Sequence, residues 1–324
     1  MTGKDLKIVF MGTPDFAVGS LKALVENGYS IVGVITSADK PAGRGRKLAE
    51  SAVKKYAVEN GLNVLQPEKL KNPDFIKELE ALKADLQVVV AFRMLPEIVW
   101  DMPRLGTFNL HGSLLPQYRG AAPLNWAIIN GEKETGVTTF LLDHKIDTGK
   151  IIFSEKTVIG ENDTVGDVHD RLLEIGANLV LKTVDALADG NLNSVAQSEL
   201  IPSEKELNHS PKIFKDDCRI DWNKDISSIH NLIRGLSPYP AAWTTLVQNE
   251  TGKETQLKIY LTEKKIEQHS QKPGTLSSDN KTYLRIAAKN GWINVKELQL
   301  QGKKRMKIDD FLRGFQHPEK YSAT

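Results

Sequence analysis

Asn109, His111 and Asp147 are three side chains of this 324-residue chain whose types could together move a proton and hold a negative charge. The stretch NLHGSLLPQYRGAAP (109–123) begins as an apolar strand, then carries an amide, an imidazole and the Ser113 hydroxyl within five residues. Side chains two apart on a strand point to one face, so Asn109 and His111 share a face. They end the run TFNLH (107–111), and open α/β sheets place their ligands at the carboxyl ends of strands. A lone histidine there is more often structural, but its company here is chemical. An Asn amide can donate to a developing oxyanion. Asp147, in the polar loop DHKIDTGK bounded by Gly149, can orient an imidazole and raise its basicity. Hydrolysis with Ser113 as nucleophile lacks the G-x-S-x-G elbow that would present the serine. A metal centre lacks a second His or Cys at ligand spacing from His111. An Asn–His–Asp set without its own nucleophile suits transfer of an acyl group to an external nucleophile such as an amine.

A second chemical stretch is SADKPAGRGRKLAES (37–51), which puts Lys40, Arg44, Arg46 and Lys47 on a glycine-containing loop. Flexible backbone with several cations suits a phosphate backbone. The competing reading is a solvated surface loop, but a loop of this length inside a compact α/β domain is uncommon and tends to be functional. The first strand–helix turn, FMGTPDFA, has only Gly12 where a dinucleotide site needs three glycines.

The elements that must position these residues follow from periodicity. LKIVF (6–10), SIVGVIT (30–36), LNVLQP (62–67), LQVVVAF (86–92), TFNLH and TGVTTFLLD (135–143) read as strands. Helices read from Asp15 to about Asn27, near 73–83, 96–102 and 123–130, and from Thr164 to Ala188, where Asp189-Gly190 stops the last. Alternating strands and helices predict a doubly wound, Rossmann-like α/β domain with a parallel sheet over residues 1–205. Polar residues near 193–212 read as a linker. Beyond it come RIDW (219–222), a helix near 225–235, and short β-type runs split by turns, which predict a small barrel or sandwich over 206–324.

Composition limits the classes. A hydrophobic content of 40% with 26% charged residues is ordinary for a soluble globular protein, and the single cysteine, Cys218, excludes an internal disulfide. No apolar run approaches the ~20 residues of a membrane helix, and no signal-peptide pattern opens the chain. These features predict a cytoplasmic protein. Residues 1–205 hold 23 Lys and Arg against 27 Asp and Glu, whereas residues 206–324 hold 20 against 14. A basic last third predicts a polyanion contact there, with a lysine-rich solvated surface as the alternative.

FMGTPDFA, DKPAGRGRKL, NLHGSLLPQYRGAAP and ETGVTTFLLDHKIDTGKII, in this order and spacing, closely resemble the methionyl-tRNA formyltransferase family. So do RIDW, IRGLSPYPAAW, PGTL and QGKKRMKIDDFLRG, and the resemblance covers nearly the whole chain. The His-Gly-Ser-Leu-Leu-Pro core with its downstream Asp marks the wider 10-formyltetrahydrofolate-dependent transferases. AFRMLP (91–96) departs from the pattern: Arg93 stands where relatives usually have glycine, and the stretch is one residue shorter.

The resemblance implies formyl transfer from 10-formyltetrahydrofolate to the α-amine of methionine on charged initiator tRNA, without a metal, by a monomeric enzyme. It implies Asn109 as oxyanion donor, His111 as proton shuttle and Asp147 as the residue that holds His111. It implies a folate site lined by Ser113, Leu114, Leu115 and Pro116, with Phe92, Met94, Leu95 and Asp143. By the same resemblance, Lys40, Arg44, Arg46 and Lys47 meet the acceptor end of the tRNA. The C-terminal domain, OB-like in this family, holds the tRNA backbone with Lys303, Lys304 and Arg305. Three rivals stay open: a formyltransferase for a sugar nucleotide or other small amine, a formyl-folate hydrolase, and an RNA-binding protein with a retired enzyme domain.

Overall fold

The apolar run KIVFMG (Lys7–Gly12, β1) is buried from Ile8 onward and lies between two other parallel strands, which is why it reads as nearly continuous hydrophobic sequence. The computed structural model describes residues 2–42, 47–190, 192–201, 203 and 207–324. In the first unit α1 (Asp15–Glu26) leads to β2 (Ser30–Ile35), and α2 (Ala52–Glu59) to the short β3 (Val64–Leu65). Next come α3 (Pro73–Ala81), β4 (Leu86–Val90), α4 (Glu97–Trp100) and β5 (Thr107–His111). The helix starts are written in the sequence. Ser51 accepts from the Lys54 N–H, and Asn72 accepts from the Asp74 N–H with Pro73 beginning the first turn. Strands β3-β2-β1-β4-β5 are parallel in that order, so the sheet reverses direction of growth between β1 and β4.

The parallel pattern ends at β5. After α5 (Pro123–Ile129), β6 (Glu134–Leu141) runs antiparallel to β5, with His111 opposite Thr138 and Asn109 opposite Phe140. The connection leaves and re-enters at the same end of the sheet, so no crossover is made, and α5 itself belongs to the second of two units into which the chain divides. A strand not expected from the sequence, β7 (Ile151–Val158), adds the outer edge; its exposed Ser154, Glu155 and Lys156 hid it, and they suit an edge. Residues 193–199, expected as linker, are also tied down. Val195 exchanges backbone hydrogen bonds of 2.9 Å with Ile151, and Gln197 is buried. The stretch expected as a basic loop contains a ribbon, Lys40–Ala42 paired with Lys47–Ala49. The helix predicted from Thr164 to Ala188 is present as α6 (Val165–Asp189).

Contacts gather residues 1–120, 136–157 and 169–209 into one unit and 121–135, 158–168 and 210–324 into the other. The second unit is a barrel-like antiparallel sheet. Its strands are β8 (Ala242–Gln248), β9 (Glu254–Lys265), β10 (Leu276–Ser278), β11 (Leu284–Ala288), β12 (Gly291–Leu300) and β13 (Tyr321–Ala323), in the order β10-β11-β12-β9-β8-β13. A bridge between Thr275 and Ser322 brings the two ends of that order together. Gly274 makes this closure possible: its φ is +85°, and a Cβ there would lie 2.1 Å from the Ala323 carbonyl oxygen. Trp222, Ile229, Ile233, Leu257, Ile286 and Leu298 belong to the core, which α7 (Ile226–Gly235) and α8 (Ile308–Gly314) help to cover.

His230 on α7 is buried against the Thr262 hydroxyl (2.9 Å), and burial lowers its pKa from 6.5 to about 4. The unfolded chain therefore binds a proton that the folded chain refuses between those values, so stability present above pH 6.5 is lost as pH falls towards 4. Urea unfolding should show the parent losing about 3 kcal/mol more than a His230→Gln variant between pH 7 and pH 4. Equal losses in the two proteins would show that His230 takes up its proton without unfolding.

Candidate active site

Asn109 and His111 project from the carboxyl end of β5, with Phe140 and Thr138 opposite them on β6. The Asn109 amide is half-buried and has no hydrogen-bond partner among the described residues. His111 is 6% exposed, and its ring meets Phe140 edge-on at 6.4 Å. Its Nε2 lies 2.9 Å from the Tyr118 carbonyl oxygen. A carbonyl can only accept, so Nε2 carries the proton and the neutral ring keeps its lone pair on Nδ1. That nitrogen faces Asp147 Oδ2 across 3.9 Å, too far for a hydrogen bond and within ion-pair range once the ring is protonated. The group that orients His111 is therefore the Tyr118 carbonyl. Asp147 itself has a left-handed backbone (φ +54°) and accepts the Gly120 N–H at 3.0 Å.

Ser113 is fully buried and donates its hydroxyl to the Gln117 carbonyl at 2.7 Å. It bonds neither His111 nor Asp147, so no serine nucleophile is assembled here. It shapes the loop, together with Thr138 Oγ1, which donates to the Ser113 carbonyl at 2.7 Å and takes the Leu115 N–H at 3.1 Å. Leu115 precedes Pro116 through a cis bond and packs on Phe140 and Ile151, while Leu114 and Pro116 are partly exposed. Of the AFRMLP segment, Leu95 is buried, Phe92 packs against the same cluster, and Met94 is 77% exposed. Leu142 packs on both that cluster and the one holding Leu115, which joins the two loops. Asp143 is exposed and accepts the His144 N–H at 2.6 Å. Ile98 and Ile146 leave more apolar surface uncovered, and His144 ties their loops together, its ring 5.4 Å from Trp100. Arg93 donates to the Pro67 and Glu68 carbonyls, the latter at 2.7 Å, and so holds its loop against the segment after β3.

The cationic candidates divide. Lys40 is exposed, Lys47 is known here only by its backbone in the ribbon, and Arg44 and Arg46 lie outside the described residues. The base of that ribbon is held by the Lys54–Asp39 ion pair and by Gln66, which donates to the Ser37 carbonyl and Asp39 Oδ1 at 2.8 Å each. Lys303 and Lys304 are exposed. Arg305 is committed elsewhere: its Nε donates to Glu297 at 2.7 Å, and its guanidinium covers the Tyr260 ring at 4.4 Å. Sequence reasoning passed over a cluster in the second unit where Lys215 and Arg219 each lie 5.7 Å from the Trp243 ring, beside the exposed Phe214 with Lys212. Phe214 flanked by Lys212 and Lys215, with Arg219 following, was the available signal. It also missed Tyr118, Arg119 and Gln197, whose contributions depend on partners distant in sequence.

Among the described residues no group of three His, Cys, Asp or Glu could hold a metal ion, and no helix is long and apolar enough to cross a membrane. The formyl transferase family model matches residues 6–184, and the formyl transferase C-terminal domain model matches residues 212–316. The methionyl-tRNA formyltransferase of Parabacteroides distasonis is 59% identical over all 324 residues, covering 100% of both chains. That of Phocaeicola vulgatus is 61% identical over 316 residues, 97% of each. Among solved structures, the N-formyltransferase from Helicobacter canadensis in complex with folinic acid and dTDP-3-aminofucose superposes with a TM-score of 0.65 at 22% identity, over 93% of this chain and 100% of that one. HypX from Aquifex aeolicus in complex with tetrahydrofolic acid gives 0.63 at 19% identity, over 95% of this chain and 48% of that one. At such identities these two structures speak for the fold alone. Two family models that between them span most of the chain, and relatives more than half identical over its full length, make this chain a member of the formyl transferase family.

Proposed function

We propose that the protein transfers the formyl group of 10-formyltetrahydrofolate to the α-amine of methionyl initiator tRNA, for translation initiation. What carries this reading is an unengaged amide at Asn109 beside two facing acceptors, in a chain alike over its whole length to methionyl-tRNA formyltransferases. Residues 1–205 supply the catalytic domain and the basic 206–324 the OB-like tRNA-binding domain. The enzyme works as a monomer in the cytoplasm.

His111 Nδ1 and Asp147 Oδ2, 3.9 Å apart, can both accept from one donor nitrogen lying about 2.9 Å from each. The α-amine takes that place. As it attacks the formyl carbon, a C–N bond forms, the carbonyl electron pair moves to oxygen, and the amine becomes cationic. Asn109 donates to the oxyanion, an interaction whose loss typically costs ~3 kcal/mol of barrier. His111 Nδ1 removes the ammonium proton, and the Asp147 carboxylate stabilises the resulting imidazolium. His111 then returns the proton to N10 of the folate as the old C–N bond breaks, leaving formylmethionyl-tRNA and tetrahydrofolate.

The folate donor lies along Phe92, Leu95, Leu114, Leu115 and Pro116. The uncovered apolar surface of Met94, Ile98 and Ile146 supports this, since flat aromatic ligands bury such surface. Lys40 and its ribbon meet the acceptor end, while Lys303, Lys304 and the cations around Trp243 hold tRNA backbone. Arg305, engaged by Glu297, does less than its sequence position suggests. Incubating the protein with 10-formyltetrahydrofolate and methionyl initiator tRNA should yield formylmethionyl-tRNA. Transfer only to a dTDP-amino sugar, or folate release without any amine, would replace this reading with one of its rivals. Lys303→Ala with Lys304→Ala should raise KM for tRNA and flatten its salt dependence while leaving kcat near the parent value.

A further inference from the structure

Three consecutive residues after the cis-proline loop each hold a different part of the candidate site. The Tyr118 carbonyl accepts from His111, the Gly120 N–H donates to Asp147, and between them Arg119 donates from Nε (3.0 Å) and Nη2 (2.7 Å) to Gln197 Oε1. Gln197 is 2% exposed, and its Nε2 donates to the carbonyls of Asp147 and Gly149, each at 2.9 Å. Four hydrogen bonds meet on one buried amide. Its orientation is dictated by chemistry, because guanidinium only donates and carbonyls only accept.

We infer that Gln197 is a positioning residue for the formyl transfer, which locks the Asp147 loop in its working conformation and is itself locked by Arg119. The inference rests on the role proposed above for Asp147. That residue is not glycine, and its φ of +54° is left-handed, a conformation that aspartate tolerates but does not prefer, so that its surroundings help to hold it. Two surroundings do so. Gly149 passes so close to β6 that a Cβ there would lie 1.7 Å from the Leu141 carbonyl oxygen, which fixes the end of the loop. Gln197 grips the carbonyls on both sides of Thr148, which fixes its approach. With the loop so held, the carboxylate meets the Gly120 N–H and faces His111 Nδ1. Without the two donors of Gln197, Asp147 is free to relax toward an ordinary backbone conformation, and the carboxylate swings away. No other side chain type combines these functions at this length. Glutamate would keep Arg119 and turn an oxygen toward two carbonyl oxygens; methionine would fill the space and bond nothing.

The test compares Gln197→Met, Gln197→Glu and Asp147→Asn with the parent in steady-state formylation across pH. The expected result is kcat lowered about tenfold or more in both Gln197 variants, as a displacement near 1 Å can cost up to a hundredfold. KM for each substrate should stay within about threefold. The pH–rate profile should change in the same sense as that of Asp147→Asn, which a general loss of stability would not produce. Should Gln197→Met fail to fold, Gln197→Glu, which retains the Arg119 contact, carries the test. Parent-like turnover and profile in a folded Gln197 variant, with Asp147→Asn crippled, overturns the inference and leaves the Asp147 reading standing. Full turnover in Asp147→Asn overturns that reading, and the role of Gln197 with it.

Discussion

Alanine at His111 is expected to lower the turnover number by a hundredfold or more in a protein that remains folded, and alanine at Asn109 to do the same. The two losses have different causes. In the proposed mechanism, removing the imidazole removes the group that takes the ammonium proton and returns it to the leaving nitrogen, and general acid–base catalysis contributes about 10²- to 10⁴-fold. It also removes the hydrogen bond from His111 Nε2 to the Tyr118 carbonyl, at a cost of about 1 kcal/mol in stability. Removing the Asn109 amide would withdraw the proposed oxyanion donor, worth ~3 kcal/mol in the transition state, and should cost little stability because that amide bonds nothing else among the described residues. Circular dichroism and thermal melts separate the two effects. Near-normal turnover in either variant would take that residue out of the mechanism.

Asp147→Asn has the second largest expected effect, a loss of about a hundredfold or more. The amide oxygen can still accept the Gly120 N–H, so the loop keeps its shape, and what disappears is one negative charge 3.9 Å from His111 Nδ1. At that distance a unit charge is worth about 4 kcal/mol at an effective dielectric near 20, and it stabilises only the protonated ring. The pH–rate profile should therefore lose or shift one limb. A profile that superimposes on the parent's would show that Asp147 does not act through His111.

Much of this protein is legible in its amino-acid order. The alternation of apolar runs with amphipathic ones predicted the parallel strands from β1 to β5 and the helices α1, α3 and α4 between them, because burial on both faces or on one stripe dictates composition residue by residue; α2 was not predicted. The placement of Asn109 and His111 on one face followed from the two-residue period of a strand. The turn-punctuated runs after residue 240 predicted a small β unit, found as a barrel-like sheet. The strand β7 escaped because an edge strand with exposed polar residues loses the composition that betrays a buried one.

What periodicity could not contain are relations between residues far apart in sequence. Nothing in NLHGSLLPQYRGAAP says that the Tyr118 carbonyl fixes the His111 tautomer, or that Ser113 turns inward to Gln117. The antiparallel direction of β6 beside β5 is something its own residues do not announce. Gln197, in a polar stretch expected to be linker, gained its place only once Arg119 and the 147–149 loop met it in space. Side-chain type and spacing are local, so the sequence determined which groups could do chemistry and on which strand end they stand. Distance, tautomer and restraint are set by hydrogen bonds that close across the fold, and those the tertiary structure alone decided.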